Sequence, residues 1–140
     1  MSNLEALRRG MVGEGPGAGW RETVGARVAE VEPGHAVIEL DVHAGHRHEG
    51  GVVQGGIITQ IADAAMGMAL MTRQEDGMAN TTMELKINFL RPVVDGRLRA
   101  VGRVVEIRRT LLFAEADVLD DRGRLVARAS STCLAIGGAA

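Results

Sequence analysis

Residues 55–71 read GGIITQIADAAMGMALM, and this stretch decides the architecture. Ile57, Ile58, Ile61, Ala62, Ala65, Met66, Met68, Ala69, Leu70 and Met71 fall around most of a helical circumference, which predicts a helix buried on nearly all sides. Its Thr59, Gln60, Asp63 and glycines argue against a membrane span. Asp63 is the only ionisable group in it. A lone carboxylate in apolar surroundings costs several kcal/mol, so Asp63 must be neutral, well hydrogen-bonded or facing a cleft. A carboxylate in such a place is a candidate catalytic group, and capping of a neighbouring loop is the plainer use of it. Gly55-Gly56 marks the helix start. Free N–H groups and the helix dipole there favour a phosphate or a developing oxyanion, and the missing side chains let a carbonyl approach the backbone. A glycine turn needed only for chain reversal is the simpler alternative.

Eight residues separate Gly55 from Asp63, which is about 12 Å along a helix axis. Both groups cannot serve one carbonyl within one chain, because reacting atoms must approach within roughly 3–3.5 Å. If both are catalytic, two antiparallel copies of the helix must meet, each lending its glycine end to the other's aspartate.

Outward from the helix the period changes to two. Residues 23–31 and 36–43 form a predicted hairpin around Glu32-Pro33-Gly34-His35, with Ile38, Leu40 and Val42 on one face. After the helix, residues 79–90, 96–108, 110–119 and 124–136 alternate as strands. A hairpin, one long helix and an antiparallel meander predict an α+β fold, a curved antiparallel sheet packed on a single helix. Residues 1–19 stand apart as a short N-terminal helix over 3–12 and a glycine-rich connection from Gly13 to Gly19, and 20–140 form the main domain.

Composition narrows the functions. At 140 residues this is one ordinary domain, and a net charge of −2 supplies no basic field for nucleic acid. Trp20, Phe89 and Phe113 are its only aromatic residues, too few for a base-stacking platform. One cysteine, Cys133, excludes an internal disulfide and fits a reducing, cytoplasmic setting, and the N-terminus lacks the apolar core of a signal peptide. Of sixteen basic residues fifteen are arginine, suited to bidentate phosphate contacts or simply reflecting compositional bias.

Val53-Gln54-Gly55-Gly56-Ile57 followed by Ala62-Asp63-Ala64-Ala65 resembles the helix motif of hotdog-fold acyl-CoA thioesterases of the phenylacetate-pathway and 4-hydroxybenzoyl-CoA kind. Thr81-Thr82-Met83-Glu84-Leu85, Asn88-Phe89-Leu90-Arg91-Pro92 and the Asp121-Arg122-Gly123-Arg124 turn continue the resemblance over residues 20–136. It implies a long sheet wrapped round the helix, a dimer as the minimal active unit, often a tetramer, and hydrolysis of an acyl-CoA thioester without any cofactor, CoA being part of the substrate. By the same resemblance the Gly55 N–H is the oxyanion-hole donor, Asp63 of the other subunit the general base or nucleophile, and Thr82 a hydroxyl that holds the lytic water. Gln54 replaces the family's usual histidine; its amide donates to a carbonyl oxygen but does not titrate. His48, Gly56 and Met83 are candidate substrate contacts, and Arg91, Arg108 and Arg109 candidate partners for the CoA phosphates.

Other chemistries have weaker footing. His43, His46 and His48, with Glu49, have the spacing of a metal site, but the helix motif already accounts for this loop and no metal is expected. Ser130 and Ser131 lack a nucleophile-elbow motif, and Cys133 lacks a partner base. A hydratase would need a catalytic histidine that the helix does not carry. A non-catalytic acyl-CoA-binding module of the same fold is the remaining alternative, and Asp63 argues against it.

Overall fold

The computed structural model describes residues 1–14 and 19–137. Part of the expected glycine-rich connection, residues 15–18, lies outside them. Helix α1 spans Asn3–Met11 and α2 spans Gly19–Val24. Strands β1 (Ala26–Glu32) and β2 (His35–Asp41) form the first hairpin. The long helix α3 runs Gly55–Met71, and β3 (Met78–Phe89), β4 (Arg97–Ile107), β5 (Leu111–Leu119) and β6 (Leu125–Gly137) complete the chain. The six strands form one antiparallel sheet in the order β1-β2-β4-β5-β6-β3, wrapped on α3. This is the expected α+β hotdog arrangement. Among the described residues no helix is long and apolar enough to cross a membrane.

The expected strand over 23–31 begins late. Glu22 to Val24 belong to α2, and Gly25, at φ 84°, donates its N–H to the Arg21 carbonyl and turns the chain into β1. A left-handed residue at a helix end is a glycine position, and Trp20 and Val24 of α2 pack against the core beside it.

Alternation in the sheet delivers the core. Leu112, Ala114, Ala116 and Val118 of β5 and Leu98 and Ala100 of β4 point at α3 and are buried. Ile58, Ile61, Ala62, Ala65, Met66, Ala69 and Leu70 form the matching helix stripe. The helix seats against β4 at Gly102, where a Cβ would collide with the Ala65 carbonyl. Only a glycine permits backbone to pack on backbone this closely. Burial of α3 on nearly all sides is not what one chain provides: Gly56, Gln60, Asp63, Ala64, Gly67 and Met71 remain half-buried or exposed on the opposite face.

On the outer face of the sheet the arginines meet carboxylates. Arg99 bonds Glu30 and Glu39 at 3.2 and 3.1 Å, and Arg97 bonds Asp41 at 2.9 Å. Arg128 and Arg103 both reach Asp117, at 2.8 and 3.4 Å. The Arg128 hydrogen bond holds the Asp117 carboxyl below the usual aspartate range.

Candidate active site

Asp63 sits on the helix flank that faces β3, and the strand supplies its partner. Thr82 Oγ1 donates to Asp63 Oδ1 at 2.6 Å, a charge-assisted length. Two residues earlier, Asn80 Nδ2 donates to the Gly67 carbonyl at 3.0 Å and to Gln74 Oε1 at 2.8 Å, which ties the same helix flank to the strand.

A bulge makes this possible. Thr82 pairs with Cys133 and Glu84 with Thr132, so Met83 is an extra residue without an opposite number. Before it Asn80 and Thr82 face the helix; after it Leu85, Ile87 and Phe89 do. Met83, expected as a substrate contact, is 59% exposed at this bulge.

The other half of the constellation lies at the start of α3. Gln54 occupies the N-cap position in extended conformation, and its side chain makes no capping bond. The Ile57 N–H is already given to the Gln54 carbonyl at 2.9 Å, which leaves the Gly55 and Gly56 N–H groups at the open helix end. Phe89 walls this end: a Cβ on Gly55 would lie 3.1 Å from its ring, and one on Gly56 would lie 2.6 Å from Gln54 Oε1. Gly55 is therefore crowded by the Phe89 ring, whereas the end of the flexible Gln54 side chain beside Gly56 can swing aside. Sequence reasoning assigned Phe89 no role; its place at the end of a strand was visible, its ring beside Gly55 was not.

The loop before α3 is fixed by a buried histidine. His46 Nε2 donates to the Val24 carbonyl at 2.6 Å, and its Nδ1 accepts from the His43 N–H at 3.1 Å. The Gln54 N–H in turn donates to the His46 carbonyl at 2.9 Å, so this residue, read from sequence only as a possible metal ligand, positions the helix start. His43 Nδ1 accepts from the Gly45 N–H, and His48 Nδ1 from the Gly50 N–H at 2.8 Å. His48, a candidate substrate contact, thereby stabilises its own turn and keeps Nε2 at the surface.

Within one chain the two halves stay apart. Gly55, Gln54 and Phe89 mark one end of α3, and Asp63 and Thr82 lie eight residues on, about 12 Å along the axis. The arginines divide in the same way. Arg91 N–H donates to Val126 and Ala135 N–H donates to Thr110, nine residues apart on β6, or about 30 Å at ~3.3 Å per residue. Arg91 therefore belongs to the Gly55 end, and Arg108 and Arg109 to the opposite one.

The sequence profile of the thioesterase superfamily matches residues 50–127. The chain is 37% identical over 103 residues, 74% of its length and 73% of the relative's, to a Saccharolobus solfataricus protein named "Putative esterase SSO2140". It is 24% identical over 108 residues to the 1,4-dihydroxy-2-naphthoyl-CoA hydrolase of Listeria monocytogenes, covering 77% of this chain and 88% of that one. The Escherichia coli PaaI protein from the phenylacetic acid degradation operon has the same fold, with a TM-score of 0.85 at 20% identity over 97% of this chain and 95% of that chain. The matched span contains the helix with its two glycines and its aspartate, together with β3 to β5: the chain belongs to the thioesterase superfamily.

Proposed function

We propose that the protein hydrolyses an acyl-CoA thioester at two equivalent sites of a homodimer. The observation that carries this reading is the Asp63 carboxylate, half-buried in an apolar helix and hydrogen-bonded only by Thr82 among the described residues. A carboxylate held by a hydroxyl and open on its other side suits proton abstraction from water or direct attack on a carbonyl carbon.

The dimer is supported by the sheet edge. β3 is the last strand of the sheet, twelve residues long, with Met83, Phe89 and the adjoining Leu90 all 50% exposed or more. A long edge strand offers its unpaired N–H and C=O groups to a second strand. Antiparallel pairing of two β3 strands about a two-fold axis would set the Gly55 end of each α3 against Asp63 and Thr82 of the other. The same operation carries Arg91 of one chain toward Arg108 and Arg109 of the other, so both clusters would flank the CoA phosphates.

In this site the Gly55 N–H takes the developing oxyanion, with the Gln54 amide as a second donor. Asp63 takes a proton from water as its oxygen bonds to the acyl carbon. The C–S bond then breaks, and the proton passes to the CoA sulfur. In the covalent variant Asp63 itself displaces CoA and water cleaves the resulting anhydride.

The deciding test is thiol release from short, long, aryl and hydroxyaryl acyl-CoAs, together with subunit mixing. Asp63→Asn and Gly55→Pro chains should each be inactive and should regain activity at one of two sites when mixed. Absence of recovery after proven subunit exchange would overturn the shared site. Acyl-CoA bound but never cleaved would leave a binding module.

A further inference from the structure

The proposed reaction uses the N–H groups at the start of α3 and leaves the aromatic wall beside them without a role. Of the three aromatic residues, Trp20 packs against the core from α2, and Phe113 alternates to the outer face of the sheet between buried Leu112 and Ala114. Phe89 alone stands at the helix start. A Cβ on Gly55 would lie 3.1, 3.4 and 3.5 Å from its Cζ, Cε2 and Cε1, so the outer end of the ring borders the glycine. The residue is 50% exposed, and the buried core closes without it. Its backbone is fixed, because Leu90 and Arg91 both donate their N–H groups to the Val126 carbonyl, at 2.8 and 3.3 Å.

The next position round the helix is polar. A Cβ on Gly56 would lie 2.6 Å from Gln54 Oε1, and the Gln54 side chain makes no capping bond. The two glycine N–H groups thus open beside an aromatic wall on one flank and an amide on the next. A carbonyl oxygen that accepts from the Gly55 N–H sits about 2.9 Å from the nitrogen. The two substituents of that carbonyl carbon, the acyl carbon and the sulfur, diverge to either side of the C=O axis. The pantetheine arm behind the sulfur carries amides, which find a hydrogen-bonding partner in Gln54 and none in Phe89. The acyl carbon, bearing only hydrogens or carbons, is the substituent that suits the ring.

Resting on the hydrolase reading above, we propose that Phe89 is the specificity-determining residue at the acyl α-carbon. Its ring fills the space next to the Gly55 N–H that a branch on that carbon would occupy. The substrate class is then an acyl thioester unbranched at the α-carbon, with a methylene passing the ring edge. An α-methyl branch has to displace the ring from its contact with Gly55, a conflict of the overpacking kind.

The test measures kcat/KM for butanoyl-CoA and isobutanoyl-CoA, isomers that differ only in branching at the α-carbon. The wild type should favour butanoyl by about thirtyfold, and Phe89→Ala should bring the two within about threefold by raising isobutanoyl turnover. Phe89→Met keeps apolar volume on a flexible chain and should give an intermediate ratio, which serves if the alanine variant does not fold. Gln54→Ala should lower both values and leave their ratio unchanged. A ring that merely packs on the helix start would lower both rates in Phe89→Ala and leave the ratio where it was, and that result overturns the proposal. So does a wild-type ratio near one, or a ratio that collapses in Gln54→Ala rather than in Phe89→Ala. The hydrolase reading fails separately. If the wild type cleaves neither thioester, calorimetric affinities for the same pair decide: a preference for butanoyl-CoA that Phe89→Ala removes keeps the ring in its role while the hydrolase falls. Equal affinities, or no binding of either, overturn it.

Discussion

The outer face of the sheet and the β3 edge use the same kinds of side chain to opposite ends. Across β1, β2, β4, β5 and β6 the carboxylates meet arginines, as Asp41, Glu39 and Asp117 do, and the charges close on one another. At β3 a single carboxylate meets a threonine, and among the described residues no cation forms an ion pair with it. The first arrangement spends charge on holding strands together; the second leaves one carboxylate oxygen open, as the proposed reaction requires.

The largest break in this contrast should come from Asp63→Asn. It should lower kcat by two orders of magnitude or more, because a positioned base or nucleophile contributes on that scale, while Tm stays within a few degrees. A large fall in Tm with retained turnover would make Asp63 a structural group like those of the outer face. Next comes Gly102→Ala, which places a methyl group against the Ala65 carbonyl. Denaturant titration should show roughly 3 kcal/mol lost to overpacking. An unchanged midpoint would show that the helix seat has slack.

Thr82→Val should reduce kcat about tenfold and leave KM within about twofold, since the hydroxyl orients the carboxylate at 2.6 Å and is replaced by an equal volume. The smallest effect belongs to the outer face. The Asp117 carboxyl is held below its ordinary value, chiefly by Arg128. Its stabilisation is complete above the unfolded value of about 3.9 and is lost as pH falls through the lower, folded one. Asp117→Asn should therefore cost about 1 kcal/mol at pH 7 and progressively less as pH falls below about 3.9. A difference that grew on acidification would have the wrong sign.

These contrasts were unequally visible in the residues. The length of α3 was readable to the residue because its apolar stripe and its Gly55-Gly56 start agree, and the β5 core positions followed from strict alternation. The bulge at Met83 was not, since Thr82-Met83-Glu84-Leu85 carries no glycine or proline to announce a change of phase. Gly102 looked like any strand glycine, because its reason is a helix carbonyl far away in sequence. His46 was read with its neighbours as a cluster, when its ring nitrogens serve the backbone at Val24 and His43. The expected β1 start at Thr23 is displaced, because Thr23 and Val24 belong to a helical turn and Gly25 ends it. What escaped was decided by contacts between distant segments. What was legible was decided by local period.

The extra residue at Met83 divides β3 into two independent clauses. Upstream the strand spells out polar business with Asp63 and Gly67; downstream it spells out apolar packing through Leu85 and Ile87. Strands lacking that pause would have to turn one of the two messages away from the helix. Burial of the downstream residues, at roughly 1.5–3 kcal/mol each, would win over one hydrogen bond, so the site would be silenced and the fold kept. The pause thus lets a change at Asn80 or Thr82 alter the partners of Gly67 and Asp63 while Leu85 and Ile87 keep their packing.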